Sequence, residues 1–304
     1  MIKRLIFSDI DGTLYGFPSK KLLESTKQDI LSAIKDDGVE LILTTGNPLL
    51  PKLTKLVKEL NSRYLICTGG SIIYDVLEAK MLAFEHINNE LIKPVAEVIN
   101  KYQTVAFLYG KENYYLLNET KEAREFFDRF FEYSNWKLDQ KDCFKDKIAK
   151  IEIYPTSKEI KELIYADLLK IEGNIDVLNL STHVEITKKG ISKGSALVKL
   201  TNMFNADINY VMSVGDSEND IAMFNETQFA YAMDNASEVV KKAAKFYTSD
   251  VLQNGLGEAI NDYIFRTRIP LIQQEKANQV EKWKNKEKRN EYYRNLVKQQ
   301  NDNS

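Results

Sequence analysis

Cysteine and histidine are scarce in this chain, with two of each among 304 residues. Cys67 and Cys143 could form one disulfide at most, so no disulfide framework is available. Reduced, packed thiols are the expected state, which suits a cytoplasmic protein. His86 and His183 are too few for a zinc cluster or for a histidine-rich catalytic relay. Both are expected to be structural or surface residues, with His183 the better candidate for a substrate contact. Long apolar runs are also missing: the one behind Lys3 and Arg4 stops at Ser8-Asp9, far short of the ~20 residues a membrane span requires. No membrane association is therefore expected. Neither sign of charge dominates, since 42 Lys+Arg stand against 44 Asp+Glu for a net charge of -2, and no nucleic-acid partner is expected. No repeat or low-complexity tract stands out.

Apolar residues make up 43% of the chain, enough for one large core or two. The stretch that organises them is Leu5-Ile-Phe-Ser-Asp9-Ile-Asp11-Gly-Thr-Leu14. Leu5, Ile6 and Phe7 read as a strand covered on both faces, and it runs straight into two carboxylates. Residues i and i+2 of a strand share a face, so Asp9 and Asp11 are expected in one site at the strand's C-terminal end, where open α/β sheets bind ligands. Two carboxylates about 4 Å apart repel by roughly 4 kcal/mol at an effective dielectric near 20. A divalent cation with a preference for carboxylate oxygen, such as Mg²⁺, would remove that cost.

Three later stretches add to this one. Val39–Leu43 predict a second buried strand ending in Thr44-Thr45-Gly46-Asn47-Pro48, with a helix from about Pro48 to Leu60; a hydroxyl, a glycine and a helix start suit an anion. Lys188-Lys-Gly-Ile-Ser-Lys193-Gly194 leads into an amphipathic helix. A lysine at a helix N-terminus opposes the macrodipole, so Lys193 points to a local anion. Asn209–Val214 predict another buried strand, ending in Gly215-Asp216-Ser217-Glu218-Asn219-Asp220. Hard oxygen ligands after a strand complete a Mg²⁺-type site, whereas a simple capping turn would explain only one of those residues.

Between these stretches, 85–187 read as α+β: helices at 89–101, 120–134 and 157–171, and strands at 103–109, 113–117, 148–154, 175–180 and 182–187. Short links imply antiparallel pairing; 135–147 fit no element. Tyr64–Cys67 predict a strand, Ile72–Asp75 and Lys80–Phe84 a hairpin leading out of the core, and the last core helix is expected to end near Ile264. From Arg266 onward the chain has a net +5 against -7 before it, and this tail is expected to be a solvated helix or disordered.

In this order, Asp9-Ile10-Asp11-Gly12-Thr13-Leu14, Thr45-Gly46, Lys193 and Gly215-Asp216-x-x-Asn219-Asp220 resemble the four motifs of the haloacid dehalogenase (HAD) phosphatases, specifically the Cof-type branch with a type IIB cap. The resemblance covers roughly 1–265. It implies a doubly wound, mostly parallel, Rossmann-like α/β core from 1–84 and 188–265, an inserted α+β cap at 85–187, and a small phosphorylated metabolite, most simply a sugar phosphate, as substrate. In the family's pattern Asp9 is the nucleophile, Asp11 the general acid and base, and Lys193 holds both nucleophile and phosphate. Ile10, Thr45, Gly46 and Asn219 would bind phosphate; Asp9, Asp11, Asp216 and Ser217 would surround Mg²⁺; Asp220 would orient the lysine or a metal-bound water. Two departures are visible: Asn47 where relatives carry Arg, and Asp234 where the Ala-Met-Gly-Asn-Ala turn has Gly, so strain or a different turn is expected there. Rival expectations are a sugar phosphomutase of the same superfamily and a non-catalytic protein that binds a partner through its tail.

Overall fold

The computed structural model describes residues 3–16, 21–111, 113–130, 136–137 and 143–302, with side chains omitted for 126–130, 136–137 and 295–302. The chain opens with β1 (Arg4–Asp9), α1 (Glu24–Asp37), β2 (Val39–Thr44), α2 (Pro51–Glu59), β3 (Tyr64–Cys67), β4 (Ile72–Asp75) and β5 (Lys80–Phe84). The next part contains α3 (Asn89–Lys101), β6 (Val105–Gly110), β7 (Tyr114–Leu117), α4 (Lys121–Phe130), β8 (Trp136–Lys137), β9 (Ile148–Tyr154), α5 (Lys158–Leu168), β10 (Ile175–Asn179) and β11 (Val184–Lys188). The chain then returns through α6 (Lys193–Met203), β12 (Val211–Gly215), α7 (Ile221–Glu226), β13 (Phe229–Ala232), α8 (Glu238–Ala243), β14 (Phe246–Tyr247) and α9 (Gly255–Asp302).

Eight strands form one sheet in the order β14-β13-β12-β1-β2-β3-β4-β5. It is parallel from β14 to β3, while β4 and β5 add antiparallel. The expected hairpin thus extends the sheet instead of leaving it. β1 is covered on both faces, as its unbroken apolar run requires. Leu5 and Phe7 pack with Ala196, Leu197 and Leu200 of α6. Ile6 packs on the other side with Ile30 of α1, Leu53 of α2 and Ile260 and Tyr263 of α9. The register sets Asp9 beside Thr44 and Ser8 beside Val214. The three motif-bearing strand ends therefore finish level with one another.

Local chemistry explains most helix limits. Gly38 caps α1 in the left-handed region at φ 64°, donating to Ala33 O. The helix expected from Pro48 begins instead at Pro51, which occupies the first helical turn. A proline pushes the preceding residue out of the helical region, and Leu50 is extended at φ -108°, ψ 146°. Asp234 does not adopt the left-handed conformation; a turn closed by Ala236 N–H donating to Met233 O replaces the strained glycine-type turn.

The second sheet has the order β10-β11-β9-β6-β7-β8 and is antiparallel apart from β7 with β8. Strand alternation gives it two unlike faces. Ile151 and Ile153 of β9 pack with Leu91, Ile92, Val95 and Ile99 of α3 and with Ile164 and Leu168 of α5. The other face carries Phe107 and Tyr109, paired in register with Glu152 and Lys150. Where the two crossings run side by side, Lys188 Nζ donates to Glu85 Oε2 at 2.7 Å. The expected helix end near Ile264 is corrected: α9 continues through Pro270 to Asp302, 48 residues, about 72 Å at 1.5 Å per residue. Its first turns bury Leu256, Ala259, Ile260 and Tyr263. Residues 131–135 and 138–142, which hold the end of one expected helix and part of the unplaced stretch, lie outside the described residues.

The loop after β3 and the start of α6 approach each other backbone to backbone. A Cβ on Gly70, at φ +107°, would stand 2.1 Å from Ser192 O. Gly70→Ala is expected to lower stability by at least ~2 kcal/mol, since backbone strain of order 1–3 kcal/mol adds to displacement of the α6 N-terminus; urea unfolding followed by circular dichroism measures it.

Candidate active site

The site is built on Lys193. The residue opens α6, whose N-terminus is closed by a capping box between Ser192 and Ser195. Its ammonium lies 2.6 Å from Asp9 Oδ1 and 2.6 Å from Asp220 Oδ1, with its side chain 1% exposed. The local anion expected from its position is therefore a pair of carboxylates. Burial alone would lower the Lys193 pKa, but Asp220 and Asp9 outweigh it and hold the group above its ordinary value. Burial has the opposite sign for Asp9 and raises it well above the usual carboxylate range; Lys193 opposes this, and Asp220 and Asp216 add to it.

Asp216 follows β12 and meets the loop after β1 at close range. A Cβ on Gly12, at φ +93°, would lie 2.2 Å from Asp216 Oδ2, so glycine is what lets that loop and the carboxylate coexist. Thr13 Oγ1 donates to Asp216 Oδ1 at 3.2 Å. Burial, then Asp220, pushes the Asp216 pKa up to about 7. Oxygens of Asp9, Asp216 and Asp220 all lie within 4.8 Å of one another. Three carboxylates, those of Asp9 and Asp220 buried and that of Asp216 partly so, against one ammonium leave a charge deficit that a divalent cation fits, and the donors are the hard oxygens such ions prefer. Asp220 itself is fully engaged: Oδ1 accepts from Lys193, and Oδ2 accepts from the N–H groups of Asp216 and Ser217 and from Ser217 Oγ. It orients its neighbours.

Asp11 reaches the site by a different route from the one strand alternation predicts. β1 ends at Asp9. A tight turn follows, in which Leu14 N–H and Tyr15 N–H donate to Ile10 O and Gly12 N–H donates to Tyr15 O. The turn, not a shared strand face, sets Asp11. Its carboxylate stands outside the three-carboxylate group, with Oδ2 accepting from Asn47 Nδ2 at 2.8 Å. Asn47, noted in the sequence as a departure, is thus a partner of the expected acid–base residue. The Ile10 side chain is buried in the core, so only its backbone can face a ligand.

Thr45 is 2% exposed, and its Oγ1 accepts from Asn47 N–H at 3.0 Å, which leaves its own proton to donate. The α2 N-terminus lies five residues beyond Gly46, so hydroxyl and loop amides replace the helix end expected here. Asn219 Oδ1 shares the single Ser217 Oγ proton with Asp220 Oδ2, at 2.9 and 3.1 Å, which leaves the amide N–H groups of Asn219 to donate. Its Nδ2 would be 3.7 Å from a Cβ on Gly46. Thr45, Gly46 and Asn219 therefore border one space, with Ser217 behind.

Two residues were missed from sequence. Asn235 Nδ2 donates to Gly12 O at 2.8 Å while its Oδ1 accepts from Val251 N–H, tying the β1 loop to the far side of the sheet. Lys150, fully buried in the second sheet, donates to Gly46 O at 2.7 Å and also pairs with Glu152 and Glu185. The signal was present in Lys150-Ile-Glu152, charges at i and i+2 in a strand otherwise apolar. Burial would raise Glu185, but Lys150 and His183 bring it down to about 2. His183 stacks on Tyr154 with centroids 4.9 Å apart; His86 stacks on Phe84 and contacts Ile87 O.

Residues 6–260 match the family model of the haloacid dehalogenase-like hydrolases. The chain is 28% identical over 267 residues to 5-amino-6-(5-phospho-D-ribitylamino)uracil phosphatase of Bacillus subtilis, covering 86% of this chain and 96% of that protein. It is 27% identical over 256 residues to phosphoglycolate phosphatase of Methanobrevibacter smithii, covering 84% and 96%. Among solved structures, a HAD subclass IIB sugar phosphatase superposes with a TM-score of 0.76 at 20% identity, covering 86% of this chain and 99% of that one. A Thermotoga maritima structure gives 0.70 at 23%, covering 86% and 97%. At those identities the structural matches speak for the fold.

Removing the ammonium while leaving its carboxylates buried costs about 3–5 kcal/mol for a buried pair, so Lys193→Met is expected to lose that much in urea unfolding, and the added change Asp220→Asn to recover part of it. The Asp216 pKa is raised from 3.8 to about 7 on folding, so the folded state holds a proton that the unfolded state has released across that window. Its contribution to stability is full below pH about 4 and lost as the pH rises through about 7. With chelator present, Asp216→Asn is expected to gain on the parent as pH rises from 4 to 7; unfolding curves across that range check the sign.

Proposed function

Because the chain belongs to the haloacid dehalogenase-like hydrolases, we propose that it is a phosphatase that hydrolyses small phosphorylated metabolites, sugar or polyol phosphates among them, through a phosphoaspartyl intermediate on Asp9. The observation that supports this best is the Lys193 ammonium held 2.6 Å from both Asp9 and Asp220 beside Asp216. In this arrangement a carboxylate nucleophile, a fixed cation and the ligands of a divalent ion meet at the strand ends. The relatives named above are phosphatases.

In the first half-reaction an Asp9 oxygen forms a bond to phosphorus while the bond from phosphorus to the leaving oxygen breaks. Oδ1 is held by Lys193, which leaves Oδ2 to attack. Asp11, positioned by Asn47 Nδ2, gives its proton to the leaving oxygen. In the second half-reaction water bonds to phosphorus, the Asp9–phosphorus bond breaks, and Asp11 recovers a proton from the water. Lys193, the hydroxyl of Thr45, the backbone N–H groups at Ile10 and Gly46, and the Asn219 amide steady the transferring oxygens. Mg²⁺ held by Asp9 and Asp216, with Asp11 and Ser217 beside it, would neutralise the charge of the phosphoryl group when bound. Residues 85–187 act as a cap on the 1–84 and 188–265 core and keep bulk water out; contact at Lys150–Gly46 supports that role.

Phosphate release from a panel of phosphomonoesters tests the proposal. Release is expected to need Mg²⁺ and to fall at least ~10³-fold in Asp9→Asn, in line with removal of a covalent nucleophile. Release that survives Asp9→Asn would sink the mechanism.

A further inference from the structure

Beside the Asp9 site is a cleft of about 360 Å³ between β10–β11 and the starts of α6 and α7, bordered by Gly69, Asp176, Glu185, Lys193, Glu218 and Asn219. That volume is in the range of small-molecule sites. Lys193 and Asn219 belong to both places, so this is the space a leaving group would enter when its phosphoryl end is at Asp9.

The charge in the cleft is one-sided. Asp176, Glu185 and Glu218 bring three carboxylates. The single ammonium in the lining among the described residues, that of Lys193, is already committed to Asp9 and Asp220. Behind Glu185, Lys150 pairs with both Glu152 and Glu185, and His183 Nε2 lies 3.9 Å from Glu185 Oε2. Acceptor atoms remain open. Lys150 takes Glu185 Oε2, while Oε1 has no donor among the described residues and would lie 3.1 Å from a Cβ on Gly69. Asp176 accepts through Oδ2 from Gly190 N–H at 2.6 Å, and nothing among the described residues donates to its Oδ1.

We propose that the substrate's leaving group carries hydroxyl or amino donors and no second anionic group, and that Asp176, Glu185 and Glu218 enforce this choice. The inference rests on the phosphatase reading and deepens it. Hydroxyl or ammonium hydrogens satisfy the open carboxylate oxygens. A carboxylate or second phosphate would enter a cleft of its own sign whose described lining ammonium is already paired, a repulsive element of the kind that creates specificity. The phosphoryl group escapes that penalty because Lys193 and the divalent-ion site face it. The same charge pattern disfavours a bisphosphate-dependent mutase.

Matched ester pairs test this: 2-hydroxyethyl phosphate against 2-phosphoglycolate, and erythritol 4-phosphate against 4-phosphoerythronate, with p-nitrophenyl phosphate as a common reference. The alcohol of each pair is expected to have a kcat/KM at least about tenfold higher. In the double variant Asp176→Asn, Glu218→Gln that ratio is expected to shrink about threefold or more. If the parent releases phosphate from p-nitrophenyl phosphate in an Asp9-dependent way yet hydrolyses the carboxylates as well as the alcohols, the inference fails and the phosphatase reading stands. An unchanged ratio in the double variant overturns the assignment to these residues. No Asp9-dependent release from any ester overturns both.

Discussion

One buried cation holds the site in register. Lys193 is inside the protein at a helix N-terminus, where both desolvation and the macrodipole oppose its charge. Asp9 and Asp220 offset those costs. Because the two carboxylates come from the ends of β1 and the β12 loop, the ammonium fastens two strands and a helix together. The backbone had to give way for this. Besides the Gly70 contact, a Cβ on Gly194 would stand 2.1 Å from Ala222 O, so α6 can reach its place only past two residues that lack side chains. The charge left over, two carboxylates beyond what one ammonium balances, fits a divalent cation.

The second sheet adds to this centre through its polar face. Its apolar face is covered by α3 and α5, as strand alternation requires. The opposite face holds Lys150, Glu152 and Glu185, charges that could stay buried only by pairing with one another and with the Gly46 carbonyl. Ser71 Oγ donating to Ala149 O at 3.1 Å and Tyr114 OH donating to Leu49 O at 3.4 Å continue the seam. Hydrogen bonds from Lys150, Ser71 and Tyr114 therefore tie the two sheets together.

Much of this was legible in the residues. Unbroken apolar runs identified the strands β1, β2, β3 and β12 of the parallel sheet. The chemistry-bearing residues also declared themselves locally, because carboxylates at a strand end, a lysine against a helix dipole and a run of hydrogen-bonding residues after a strand are each costly without a ligand or partner. Local rules failed where a neighbour in space or a competing local signal decided. Pro51 displaced Pro48 as the helix start because it forces Leu50 extended. The turn at Asp234 took a form that avoids left-handed backbone. The tail's sparse apolar pattern left helix and disorder both open, and α9 runs unbroken from the core to Asp302.

In the sequence by itself, the motifs' resemblance to a known family implied the fold class, and local pattern singled out Asp9, Lys193 and Asp216 as candidate site residues, since they are charges placed where isolated chain would not favour them. Only the tertiary structure decided how these groups are coupled. It set Asp220 as a partner of Lys193, Asn47 as a partner of Asp11, Asn235 as a strap on the Gly12 loop, and Lys150 with Glu185 over the Gly46 and Gly69 loops. Each of these pairs joins residues separated by tens to hundreds of positions. Whether two such groups come within hydrogen-bond reach depends on sheet register and on the few glycines that let backbones touch, and neither is written in the local pattern around either residue.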